Sequence, residues 1–177
     1  MKRLLFLLLV ALATPAVAQE YTIEDGAVKF TRIYEDTGLD VQECHDRVYY
    51  HLAQVFNDSN NTCKMNTADK LLYKGVFPDV TVINMGLGVY WHFNVPFDLT
   101  ISIKDNRMRV EVSVRAVEGS QDYDLVNAYP LNEDHEYFEV GVNKKQAEKI
   151  FNGTINSVVS FIDGIGECLT TSADDEW

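Results

Sequence analysis

The sequence predicts an α+β fold, a two-layer sandwich with two helices packed on one face of a curved antiparallel sheet. Two observations carry it. From Phe93 to Arg115, apolar and polar residues alternate along two arms joined by Asp105-Asn106, as expected of a sheet with one buried and one solvated face. Flanking those arms, residues 41–56 and 143–168 carry apolar side chains at helical spacing along a single stripe. One apolar face and two apolar stripes are buried together most economically when both helices lie on the same side of the sheet.

Taken in order, the chain opens with basic Lys2 and Arg3, an apolar run from Leu4 to Leu12, and Ala16-Val17-Ala18 before Gln19. That is the layout of a cleaved secretory signal peptide. Residues 1–18 are read as the leader and 19–177 as a single α+β domain, with its core at about 27–169 and an acidic tail at 172–177. No later run approaches the ~20 apolar residues of a membrane span. The expected location is therefore periplasmic or secreted, with no transmembrane segment once the leader is gone.

Ala27 to Tyr34, rich in β-branched and aromatic residues, predicts the first strand. Gly38 ends it, and Asp40 with Glu43 forms a capping box that opens a helix over Val41 to Phe56. Asn57 to Asn61 stops that helix, because such side chains favour turns. Cys63 to Phe77 reads as extended, Val80 to Ile83 continues it past Pro78, and Asn84 to Gly88 reads as a loop.

In the hairpin, a two-residue turn at Asp105-Asn106 sets Lys104 opposite Arg107, Ile103 opposite Met108 and Leu99 opposite Val112. Pro96 cannot donate to a ladder, which predicts an edge or a bulge around it. Gly119 to Glu139 reads as irregular. Asn143 and Gln146 form a second capping pattern, opening a helix that Gly164 and Gly166 are expected to end or bend.

The hairpin Ile101-Ser102-Ile103-Lys104-Asp105-Asn106-Arg107-Met108-Arg109 resembles the Lys-Asp-Gly-Lys/Arg-aromatic-Arg hairpin of a domain-of-unknown-function family of exported proteins from gut Gram-negative bacteria. Leu72-Tyr73-Lys74-Gly75 and the helix after Gly38 fall where that family would place them, and the likeness spans about Phe30 to Val114. Asn106 stands at the family's usual Gly and Met108 at its usual aromatic. The resemblance implies a TATA-binding-protein-like fold and no activity; the fold name does not bring DNA binding with it.

Charge narrows the partners. The full chain carries −12; without Lys2 and Arg3 it has 13 basic against 27 acidic residues, or −14. Such a surface repels phosphate backbones, so nucleic acid is not an expected partner. Cys44, Cys63 and Cys168 allow at most one intrachain disulfide. The chain between Cys44 and Cys63 must run down a helix and straight back to bring them together, so Cys168 is expected in any bridge that forms.

No Gly-x-Ser-x-Gly elbow, His-Glu-x-x-His pair or phosphate-cradling loop occurs, so no catalytic residue, cofactor or metal site is assigned. His45 lies within the apolar arc of the first helix and reads as a core residue. His51 is out of phase with it for a shared metal, and His92 and His135 have no motif around them. Glu133, Asp134, Glu136 and Glu139 read as a solvated charge run. Lys104, Arg107, Arg109 and Arg115 share the solvent phase of the hairpin and form the candidate binding face.

The reading is an uncharacterised, exported, non-catalytic binding or interaction module of the cell envelope. Its partner would be another envelope protein or an anionic ligand. The alternative is a periplasmic hydrolase with a site scattered in sequence, which a cleft holding a histidine and a carboxylate in hydrogen-bond reach would favour.

Overall fold

The computed structural model describes residues 21–24, 27–56, 62–121, 124–130 and 143–170. The expected leader at 1–18, the helix stop at Asn57 to Asn61, the acidic run Glu133, Asp134, Glu136 and Glu139, His135 and the expected tail at 172–177 lie outside them. Strands β1 (Tyr21–Glu24) and β2 (Ala27–Glu35) precede helix α1 (Val41–Val55). Strands β3 (Cys63–Thr67), β4 (Lys70–Gly86), β5 (Val89–Lys104), β6 (Arg107–Val114), β7 (Ala116–Gln121) and β8 (Asp124–Pro130) follow, and α2 (Lys144–Thr170) comes last.

The strands form an antiparallel sheet in the order β1-β2-β6-β5-β4-β3. Long β5 is shared. Phe97 to Lys104 pair with β6, whereas Trp91 to Asn94 pair with β7, which in turn pairs with β8. The hairpin register is the expected one: Lys104 faces Arg107, Ile103 faces Met108, Ile101 faces Val110 and Leu99 faces Val112. All of the apolar members are buried, and α1 and α2 add Val48, Leu52, Ile150, Ile155, Val158 and Ile165 to the same core. Burying that face is what pins the register, since a slip by one residue would turn every apolar side chain into water.

Both helix starts follow the capping chemistry. Asp40 accepts from the Glu43 N–H at 2.8 Å, while the Glu43 carboxylate turns to Arg47 at 2.8 Å. At α2 the exchange is reciprocal: Gln146 N–H donates to Asn143 Oδ1 at 3.0 Å, and Asn143 N–H donates to Gln146 Oε1 at 2.7 Å.

Three expectations need correction. The extended stretch from Cys63 is two strands, broken by a turn at Ala68-Asp69, and β4 then runs through Pro78 and the supposed loop as far as Gly86. Irregular ladder pairing between Phe77 and Thr81 absorbs the proline. Pro96 is on a central strand, and the bulge expected around it is there: residues 95 and 96 stand opposite three residues, 115–117. Pro96 pairs with Val76 on one side; on the other, the β7 ladder stops at Asn94 and the β6 ladder starts at Phe97. The residue without an N–H sits where one neighbour hands over to the next.

The stretch after Gly119 holds the β7–β8 hairpin as far as Pro130, too short and too bulged to show alternation. Last, α2 runs through Gly164 and Gly166 to Thr170. Gly166 is a packing position: a Cβ there would lie 2.5 Å from Tyr34 Cε1. Gly153 lets α2 approach β4, since its Cβ would lie 2.4 Å from the Val80 carbonyl oxygen. Gly75 serves the aromatic layer: Phe77 stacks on Phe97 at 4.1 Å, Phe56 on Tyr73 at 5.4 Å, and a Cβ at Gly75 would meet Phe97 Cζ at 2.5 Å. Aromatic rings covering a strand glycine compensate for its missing side chain.

Candidate functional site

The sheet face turned away from the helices carries the four predicted cations, and all four are exposed. Alternation puts them there: Lys104 at the end of β5, Arg107 and Arg109 on β6, and Arg115 just after β6 occupy positions between the buried Ile103, Met108, Val110 and Val114. Lys104 and Arg107 are directly opposed across the turn, and Arg109 faces Ser102.

Two of the four are paired. Arg107 reaches Glu35 of β2 at 2.9 Å, and Arg109 reaches Glu111 two residues along its own strand, also at 2.9 Å. The arginine side chains remain 49% and 50% exposed, so these pairs are screened by water and contribute at most about 1 kcal/mol each. Glu35 was invisible to the sequence reading because its partnership depends on β2 pairing with β6, which no local pattern announces. The same face also carries exposed apolar side chains that were missed: Ile33 beside Arg109, and Val76 and Val82 on β4. They sit on the phase that alternation assigns to polar residues, even-numbered on β4 both before and after the irregular pairing around Pro78.

The histidines divide. His45 is buried, with Nδ1 at 2.9 Å from Asp46 Oδ1, Nε2 at 2.6 Å from Asn66 Oδ1, and its ring stacked on Tyr49. It ties α1 to β3, as a satisfied core histidine should, and its hydrogen bond to Asp46 holds that carboxyl below the usual range. Burial lowers the His51 pKa, with Glu167 acting in the opposite sense.

His92 Nδ1 lies 2.8 Å from Asp79 Oδ1, and Asp79 itself has a left-handed backbone, φ 48°. The Asp79 N–H donates to Asn94 Oδ1 at 2.9 Å, which holds the strained residue in place. Ser120 Oγ is directed at the His92 backbone carbonyl at 3.5 Å, not at the ring. Among the described residues no three His, Cys, Asp or Glu side chains gather as a metal site, and no helix is long and apolar enough to cross a membrane.

No protein-family model matches the chain, and no curated protein does. Two solved structures share its fold. A DUF4468 family protein from Bacteroides ovatus superposes with a TM-score of 0.59 at 12% identity, covering 86% of this chain and 91% of that one. A TBP-like protein from Parabacteroides distasonis gives a TM-score of 0.59 at 14% identity, covering 85% and 97%. The fold resemblance read from the hairpin therefore holds: the neighbours are a domain-of-unknown-function protein and a TBP-like protein, both from gut Gram-negative bacteria. At these identities the likeness is one of fold.

Proposed function

We propose that this chain is an exported, non-catalytic interaction module of the cell envelope, and that the open sheet face binds an acidic partner. One observation carries the reading. On a chain of net charge −12, Lys104, Arg107, Arg109 and Arg115 are all exposed on the face that neither helix covers. The ion pairs of Arg107 with Glu35 and of Arg109 with Glu111 are solvent-screened, so a partner's carboxylates can replace those glutamates at little cost. Ile33, Val76 and Val82 add apolar contact area to the same face, a combination suited to a protein partner more than to a small anion.

The test is a pull-down from envelope extract with the purified chain and with a variant carrying Lys104→Ser, Arg107→Ser, Arg109→Ser and Arg115→Ser. The reading expects a captured protein that salt elutes from the wild type and that the variant fails to hold. Equal capture by both would remove the face as a binding site.

The hydrolase alternative draws on the His92–Asp79 pair, whose 2.8 Å contact would orient the imidazole as a base. Hydrolysis of ester, amide or phosphoester panels that His92→Ala abolishes would establish it.

A further inference from the structure

We propose that Cys44 and Cys168 close an intrachain disulfide that locks the start of α1 to the end of α2, leaving Cys63 as the free thiol. All three cysteines are thiols in the structure. Cys44 occupies the first turn of α1 and is buried; Cys168 occupies the last turn of α2 and packs on the same core. These two helix ends meet. Arg47, one turn on from Cys44 and so on the same side of α1, donates through Nη1 to the carbonyl of Leu169, the neighbour of Cys168, at 2.9 Å. Both sulfurs sense the Arg47 charge, and a Cys44 thiolate opposes ionisation of Cys168.

Cys63 belongs elsewhere. It sits on β3 opposite Tyr73, donates to the Met65 carbonyl at 3.5 Å, and its thiol acts on the buried Tyr73 phenol, whose pKa burial already raises.

The chemistry is thiol–disulfide exchange. One thiolate attacks the S–S bond of a small or protein disulfide and releases one thiol. The second thiolate then displaces the other, forming the Cys44–Cys168 bond. Two S–H bonds are lost from this chain and the oxidant gains two, with two electrons passing to it. In the folded thiol form, burial pushes Cys44 up to about 11 and Cys168 up to about 12, so thiolate is scarce there. The bond therefore forms while the chain folds, and the finished protein oxidises slowly.

The experiment supplies its own oxidant, so its outcome is independent of the export reading. The reduced, unfolded chain is refolded in mixed reduced and oxidised glutathione, alkylated, digested without reduction and mapped by mass spectrometry. The expected products are a Cys44–Cys168 peptide pair and alkylated Cys63, in a monomer whose Tm exceeds that of the reduced chain by on the order of 10 °C. Cys63→Ser should keep the bridge. Cys168→Ser, at a half-buried position, should fold and leave both remaining thiols open to alkylation. A bridge that includes Cys63, bridges only between copies, or three alkylated thiols after refolding would overturn the proposal.

Discussion

Asn106 accepts a hydrogen bond from the backbone N–H of Gly38 through its side-chain Oδ1, at 2.6 Å. Its Nδ2 donates to Asp36 Oδ1 at 3.3 Å, and its own N–H donates to the Leu39 carbonyl at 3.0 Å. The tip of the β5–β6 hairpin is thereby clamped to the link between β2 and α1. That link needs holding, because Asp36 and Gly38 both have left-handed backbones, at φ 53° and 72°. Asn106 is left-handed too, at φ 59°, so a glycine would satisfy the turn but not the clamp.

Replacing Asn106 with Gly should therefore destabilise the fold by about 1 kcal/mol, the net value of the lost side-chain bonds less nothing for the turn itself. Replacing it with Ala loses the same bonds and adds about 1 kcal/mol of left-handed strain. Urea titrations of the two variants should rank them in that order. Equal stability of Asn106→Gly and wild type would show that the clamp contributes nothing.

The three glycines near the middle and end of α2 should separate sharply. Gly→Ala within a helix gains about 1 kcal/mol from propensity alone. At Gly164 the new Cβ would lie 3.7 Å from His51 Nε2, ordinary contact, so Gly164→Ala should raise Tm. At Gly166 it would press on the Tyr34 ring, whose hydroxyl is held by the Ile162 carbonyl at 2.7 Å. At Gly153 it would strike the Val80 backbone, which cannot swing aside. Overpacking of this kind costs about 1–3 kcal/mol, so Gly153→Ala should lower Tm most and Gly166→Ala less. Thermal melts of the three single variants check the order.

The glycines also show where sequence reading stops. Alternation from Phe93 to Val114 revealed the sheet face and its register, because burial on one side leaves a period of two in the residues themselves. The caps at Asp40 and Asn143 were legible for the same reason: their chemistry is local. A glycine at 164 or 166 reads as a helix end in any local rule. The use of Gly166 as a landing place for Tyr34, 132 residues away, exists only after β2 and α2 have packed. The candidate face divides along the same line. Its four cations follow from alternation, whereas the Glu35 counter-charge and the exposed Ile33 arrive with β2, a strand distant in sequence.

Stability should fall on mild acidification, and His51 should account for part of the fall. Burial depresses its folded pKa below the ordinary 6.5, so the unfolded chain binds more protons. Stability is then lost as pH drops below about 6.5 and continues to fall until the folded pKa is passed. Asp46 adds a second loss at lower pH. Its hydrogen bond from His45 depresses a carboxyl of ordinary pKa 3.8, so its contribution is present above that value and disappears as pH falls through the lower folded pKa. Urea midpoints between pH 7 and pH 5 should decline, and His51→Gln should flatten that slope. An unchanged slope in the variant would assign the decline to other groups.

The double variant Arg107→Ser, Arg109→Ser should fold with a stability within about 1 kcal/mol of the wild type. Both guanidinium groups are about half exposed, and neither Glu35 nor Glu111 is buried deeply enough for the loss of its partner to strand a charge. The serines stay on the solvent phase of β6, so Met108 and Val110 keep their places in the core. Removing two positive charges from a chain at −12 takes it to −14, and the added self-repulsion is screened at physiological salt. A double variant that unfolds would mean the arginines hold β2 to β6 through Glu35, and the face would then owe its cations to the sheet. A variant that folds, yet loses the salt-sensitive partner, would leave binding as their remaining role.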